Sequence, residues 1–169
     1  MSTDRRNVVL AAATAANFGQ FGARVVLSPF VLAIALDFQV TKGGVGTGLT
    51  LMWATVALAQ FPSGVLADRY GERRVMVAAL GLTAAGSGLV AAAPTFPTFV
   101  LAVGALGVGA GLYFPVGTAL LARRFENRGR ALGIHSAGGP LAGLAVPVVA
   151  TAVAARYDWR AGVLTGGAL

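Results

Sequence analysis

Asn17, Gln20 and Arg24 stand three and four residues apart, a spacing that puts all three on one face of a helix. Arg24 is the only charge between residues 8 and 36. Holding a guanidinium at bilayer depth costs about 2.5 kcal/mol or more, so such a residue marks a functional site by default. Two chemistries fit it. Arg24 faces a cavity and attracts an anionic solute, or it pairs with a carboxylate or carbonyls on another helix. Asp37 lies thirteen residues further on, about 20 Å along a helix, too far to be that partner within one helix. Phe21 sits beside the polar face. Trp53, Gln60 and Tyr113 are further candidates for lining a cavity. Gln60 suits an interhelical hydrogen bond equally well, and Tyr113 suits packing.

Other chemistries have no residues to carry them. The sequence has no cysteine, which excludes disulfides, thiol chemistry and cysteine-ligated metal. A single histidine, His135, argues against a multi-histidine metal site. No nucleophile and base, phosphate loop or cofactor motif appears, so neither an enzyme nor a cofactor is expected. The net charge is +7 and the pI is about 11.3. No basic stripe with interleaved aromatics accompanies that charge, so nucleic acid is not an expected partner.

These residues must be held by membrane-crossing helices. Charged residues make up 11% of the 169 and hydrophobic ones 56%, against about 25% charged in a soluble domain. Mean hydropathy is +0.75. About 20 apolar residues cross a bilayer, and five stretches qualify: 8–36, 45–67, 75–93, 98–122 and 131–155. The first resembles a signal peptide at its start but is too long for one, and reads as an uncleaved span. A sixth apolar run opens at Ala161 and the sequence stops at Leu169. Nine residues cannot span, so the chain reads as a single transmembrane domain that is a piece of something longer. The expected fold is an all-α, polytopic helix bundle.

Short loops separate the spans, and their basic residues set the orientation. Alternating sides collects Arg5, Arg6, Arg69, Arg73, Arg74, Arg123, Arg124, Arg128 and Arg130 on one side. The other side receives Lys42, Arg156 and Arg160. Nine against three predicts a cytoplasmic N-terminus; the expected location is the plasma membrane. Glycine is abundant, and Gly44/Gly48, Gly107/Gly111 and Gly139/Gly143 have the spacing that lets helices approach closely in lipid. The same glycines suit helices that slide or bend.

The strongest motif is the loop "GVLADRYGERRV", Gly64 to Val75. Gly71 can supply a positive φ for a tight turn. Gly64 is suited to close helix approach, and Asp68 to accepting hydrogen bonds at a helix N-terminus. Arg69, Arg73 and Arg74 obey the positive-inside rule and can reach anionic headgroups. Gly64, Leu66, Ala67, Asp68, Arg69, Gly71 and Arg73 resemble the Gly-x-Leu-Ala-Asp-Arg-x-Gly-Arg-Arg loop of the major facilitator superfamily. Glu72 departs from it, since the family usually has Arg there. The family Arg is implied to pair with an acid at the end of the fourth helix. That helix ends here in Arg123 and Arg124, so a charge-reversed pair with Glu72 is expected.

Two further stretches are similar to the family. "HSAGGPLAGL", His135 to Leu144, matches the fifth-helix antiporter motif at Gly139, Pro140 and Gly143, with His135 and Leu144 in place of its outer glycines. "YDWRAGVL" resembles the opening of helix six. Gly107–Gly111 resembles the run that follows an Arg in proton-coupled antiporters, but Val103 holds the Arg position. The resemblance implies the N-terminal six-helix half of a secondary transporter, cut in helix six, moving a small solute by alternating access. Drug or metabolite efflux is an alternative, and a non-transporting scaffold is another. Implied partners are membrane lipids, a small-molecule substrate, and a second half or partner chain on which the 64–74 loop latches.

Overall fold

Proline, glycine and end-capping residues decide where each helix starts, stops and touches. A computed structural model describes residues 3–167. In order along them come α1 (Thr3–Val25), a 3-10 turn (Ser28–Phe30), α2 (Val31–Asp37), α3 (Lys42–Tyr70), α4 (Glu72–Ala92), α5 (Phe96–Arg124), α6 (Arg128–Ala154) and α7 (Trp159–Gly167). Among the described residues, five stretches are long and apolar enough to cross a membrane, with α1 through α2 as the first. Thr41 caps α3 by accepting from the Gly44 N–H at 3.0 Å. Thr95 and Thr98 form a capping box on α5. Asn127 caps α6, accepting from the Arg130 N–H at 3.1 Å.

Residues 8–36 lie in one span, but not in one unbroken helix. Pro29 has no N–H to donate to the Val25 carbonyl. The Ser28 hydroxyl donates to that carbonyl instead, at 2.8 Å, and the chain turns before resuming as α2. Pro62, Pro115, Pro140 and Pro147 lie inside helices that continue through them.

α5 is the central helix, with α3 against one side and α4 against another. Its glycines make this possible. A Cβ at Gly107 would collide with the Met52 carbonyl of α3, and one at Gly111 with the Val56 carbonyl. A Cβ at Gly109 would stand 2.8 Å from the Thr83 nitrogen of α4. α1 packs mainly on α6, where a Cβ at Gly138 would stand 2.7 Å from the Thr14 carbonyl. Lipid supplies no hydrophobic drive between helices, so this close van der Waals contact is what associates them.

One end of the bundle is closed by aromatics. Phe38, Phe96, Phe99 and Trp159 pack with ring centroids 5.6–6.3 Å apart. Arg160 of α7 forms an ion pair with Asp37 at the end of α2 and donates to the Ala93 carbonyl at 3.0 Å. The Trp159 indole N–H donates to the same Asp37 carboxylate at 3.2 Å. Three elements distant in sequence are thus clasped at one corner.

Candidate functional site

Four helices each turn one face toward a shared cavity of about 400 Å³. α1 contributes Asn17, Phe21 and Arg24, and α3 contributes Trp53, Val56, Ala57 and Gln60. α5 adds Ala110 and Phe114, and α6 adds Ser136, Gly139 and Pro140. The spacings within each helix are those of one helical face. Pro140 leaves the Ser136 carbonyl without its intrahelical donor, so the wall of α6 carries backbone polarity where it borders the cavity.

Arg24 is the charge in this wall. Its guanidinium carbon lies 5.0 Å from the ring centre of Phe21 and 5.0 Å from that of Trp53. Its Nε donates to the Gln20 carbonyl at 3.1 Å. Among the described residues no carboxylate forms an ion pair with it; Asp37 pairs with Arg160. Two cation–π contacts at about 0.5–2 kcal/mol each offset much of the roughly 2.5–3.5 kcal/mol that a central charge costs on the insertion scale. Both rings are neutral, so the positive charge remains available to an anion.

Asn17 also lines the cavity, but its amide donates to the His135 carbonyl of α6 at 2.9 Å. Gln20 is a correction. It is buried, its side-chain oxygen accepts from the Thr83 hydroxyl at 2.8 Å, and it does not line the cavity. Tyr113 is another correction. It is fully buried, with its hydroxyl donating to the Ala13 carbonyl at 2.9 Å. The α5 aromatic that reaches the cavity is its neighbour Phe114, about 100° further round the helix. Phe114 stacks on His135 with centroids 6.1 Å apart. His135 is fully buried, and neither ring nitrogen has a partner among the described residues. Gly139 and Gly143 both face Phe21, at 3.4 and 3.6 Å from where their Cβ atoms would be.

The 64–74 loop lies at the end of the bundle away from the Asp37 clasp. Gly71 caps α3 and precedes α4 with φ +87°, in the region that favours glycine. Glu72 opens α4 and pairs with Arg123 in the last turn of α5. Each charge also complements the dipole at its own helix end. Two expectations here are corrected. A Cβ at Gly64 would meet nothing within 4 Å, so this glycine does not bring another described helix close. Asp68 lies in the last turn of α3, and α4 has no side-chain cap, so Asp68 does not serve the N-terminus of α4. Arg69 lies 5.3 Å from the Tyr70 ring, and Arg73 and Arg74 are exposed.

Sequence reasoning missed Phe114, Val56, Ala57 and Ala110 as cavity walls, because nothing in an apolar residue separates lipid-facing from cavity-facing; it also missed Ser136, whose small hydroxyl can equally bond to its own helix backbone. It also missed the Asp37–Arg160 pair, although loop counting puts both charges on one side of the membrane.

A family model described as Major Facilitator Superfamily matches residues 13–169. A probable 4-methylmuconolactone transporter of Cupriavidus pinatubonensis is 30% identical over 140 residues, which is 79% of this chain and 33% of that protein. The membrane sensor protein UhpC of Salmonella typhimurium is 27% identical over 144 residues, 84% of this chain and 32% of that protein. The chain thus spans about a third of the length of these relatives. Among solved structures, the proton:xylose symporter XylE bound to 6-bromo-6-deoxy-D-glucose shares the fold with a TM-score of 0.88 at 16% identity, over 99% of this chain and 43% of that one. Multiple apolar helices and a family match along nearly the whole sequence make this a multi-pass membrane protein, and the chain belongs to the major facilitator superfamily.

Proposed function

We propose that this chain forms one wall of a secondary transporter that moves a small organic or inorganic anion across a membrane by alternating access. The observation that carries the reading is Arg24, a cation held between two aromatic rings in the cavity wall without a carboxylate partner among the described residues. In such transporters, two bundles rock around a site near the bilayer midplane. The opposite wall then comes from a second half of the protein or from a partner chain. In this reading the membrane is the plasma membrane, and the N-terminus and the 64–74 loop lie in the cytoplasm, an orientation that the nine-to-three split of basic residues supports. A relative named for 4-methylmuconolactone supports a small organic solute.

The test is uptake and export of labelled carboxylate and phosphate anions by the full-length protein in proteoliposomes. Loss of a charge-assisted hydrogen bond, about 1.5–3 kcal/mol, predicts that Arg24→Ala lowers anion transport by roughly tenfold or more. Unchanged anion transport in that variant removes Arg24 from the site. Efflux of an apolar compound is a second reading, supported by the apolar share of the wall, with Phe21, Trp53, Val56 and Phe114. Export of a lipophilic cation that survives Arg24→Ala would favour it. A non-transporting role is supported by the relative named as a membrane sensor. Anion binding without any flux into proteoliposomes would favour that role.

A further inference from the structure

A second cavity, of about 330 Å³, opens between α1 and α6 at the end of the bundle that holds the 64–74 loop. Along α1 and α6, buried Ala13 and His135 lie between it and the Arg24 cavity. Two arginines line it from two helices: Arg6 on α1 and Arg130 on α6. Asn7 and Asn127 add amides to the lining, and Leu10 and Ile134 add apolar side chains. Among the described residues no carboxylate lines it, and neither arginine forms an ion pair.

The other basic groups at this end differ. Arg123 is neutralised by Glu72, and the groove beside Arg73 and Arg124 contains Glu72 as well. Among the described residues, the α1–α6 cleft gathers cations from separate helices without an acid in its lining. Its parts are also positioned in advance. The Arg6 guanidinium lies 5.4 Å from the Phe125 ring centre, which restricts a long side chain. The Asn127 oxygen is occupied by the Arg130 N–H at 3.1 Å, so its amide N–H groups are left as donors for a ligand. Arg130 sits in the first turn of α6, where the helix dipole disfavours a cation. A basic residue there is stabilised once an anion binds beside it.

We infer that this cleft is a binding site for a phosphate-type anion, gripped by Arg6 and Arg130 with Asn127 as a neutral donor. Guanidinium groups suit it because their paired N–H groups match phosphate oxygens. A volume of about 330 Å³ equals on the order of ten waters of liquid, enough for a phosphate group and its neighbouring atoms. Phosphate chemistry comes from two sources: a free phosphate or phosphate monoester, or the phosphodiester headgroup of an anionic lipid. The site does not depend on the anion-transport reading, since Arg24 takes no part in it.

The experiment uses the full-length protein in phosphatidylcholine nanodiscs, with calorimetric titration of inorganic phosphate. In parallel, phosphatidylglycerol retained by the protein from mixed lipid is measured by native mass spectrometry. R6Q/R130Q, R130Q alone and R130K are compared with R156Q, an exposed arginine at the opposite end. Losing a hydrogen bond to a charged group predicts a roughly tenfold or greater weakening in R130Q, with R130K intermediate and R156Q unchanged. Phosphate binding that is lost in R130Q supports the site with a free anion as ligand. Retained phosphatidylglycerol that is lost in R130Q supports it with a lipid headgroup. If neither probe distinguishes R130Q and the double variant from the unchanged protein, or if R156Q weakens binding as much as R130Q, the site does not exist. R130Q keeps this decisive if the double variant fails to fold, because the Arg130 side chain is exposed.

Discussion

Replacing the Arg24 guanidinium with an ammonium separates its charge from its shape. Lysine keeps the charge but loses the planar stacking between Phe21 and Trp53. Arg24→Lys should therefore transport anions at a rate between those of the unchanged protein and Arg24→Ala, read as initial uptake into proteoliposomes. The Glu72–Arg123 pair predicts a different pattern. The Arg123 side chain is 61% exposed, so solvent screening limits the pair to about 0.2–1 kcal/mol of stability. Its effect should appear in transport more than in melting temperature, with Glu72→Arg impaired and the Glu72→Arg/Arg123→Glu swap restored. If Glu72→Gln and Glu72→Arg leave both transport and expression unchanged, the pair has no role. Arg24 was legible from sequence because a single charge in a 29-residue, mostly apolar stretch admits few explanations. Gln20 was not. It lies on the edge of the same face, about 60° from Asn17, and that small rotation delivers it to Thr83 on α4.

Between helices, the same residue type has opposite consequences one turn apart. A Cβ at Gly104 would meet nothing within 4 Å, whereas one at Gly107 would collide with α3. Gly104→Ala should be neutral or stabilising by up to about 1 kcal/mol, through the lower entropy of alanine in a helix. Gly107→Ala should cost about 1–3 kcal/mol from overpacking. Thermal unfolding of the two purified variants checks the contrast, and equal melting temperatures would refute it. The spacing of Gly107 and Gly111 was readable as a close-approach pattern, but its partner was not, because the pattern describes one helix surface and contact needs two. The break at Pro29 arises from a missing N–H, and the hydroxyl beside it makes the turn stable.

At the scale of the whole chain, these 169 residues contain no cysteine, so cysteines introduced here report orientation once any elsewhere in the full-length protein are replaced. Single cysteines at Lys42 and Arg128, both exposed, should lie on opposite sides of the membrane. An impermeant maleimide added to intact cells is expected to label Lys42→Cys and spare Arg128→Cys, and the reverse pattern would invert the proposed topology. The cavity at Arg24 and the cleft at Arg6 and Arg130 both border α1 and α6, so relative motion of these helices would reach both. The amino-acid sequence by itself determined that the chain is helical and membrane-spanning, where its loops fall, and which loop carries the family signature. Those properties depend on local composition: apolar length, charge excluded from lipid, and a glycine free to adopt positive φ. Tertiary structure alone decided which polar groups share a cavity, that Tyr113 and Gln20 are consumed in packing, and that Asp37 meets Arg160. Each of those outcomes depends on how one helix is rotated against another, and that rotation is set by glycine contacts between segments far apart in the chain.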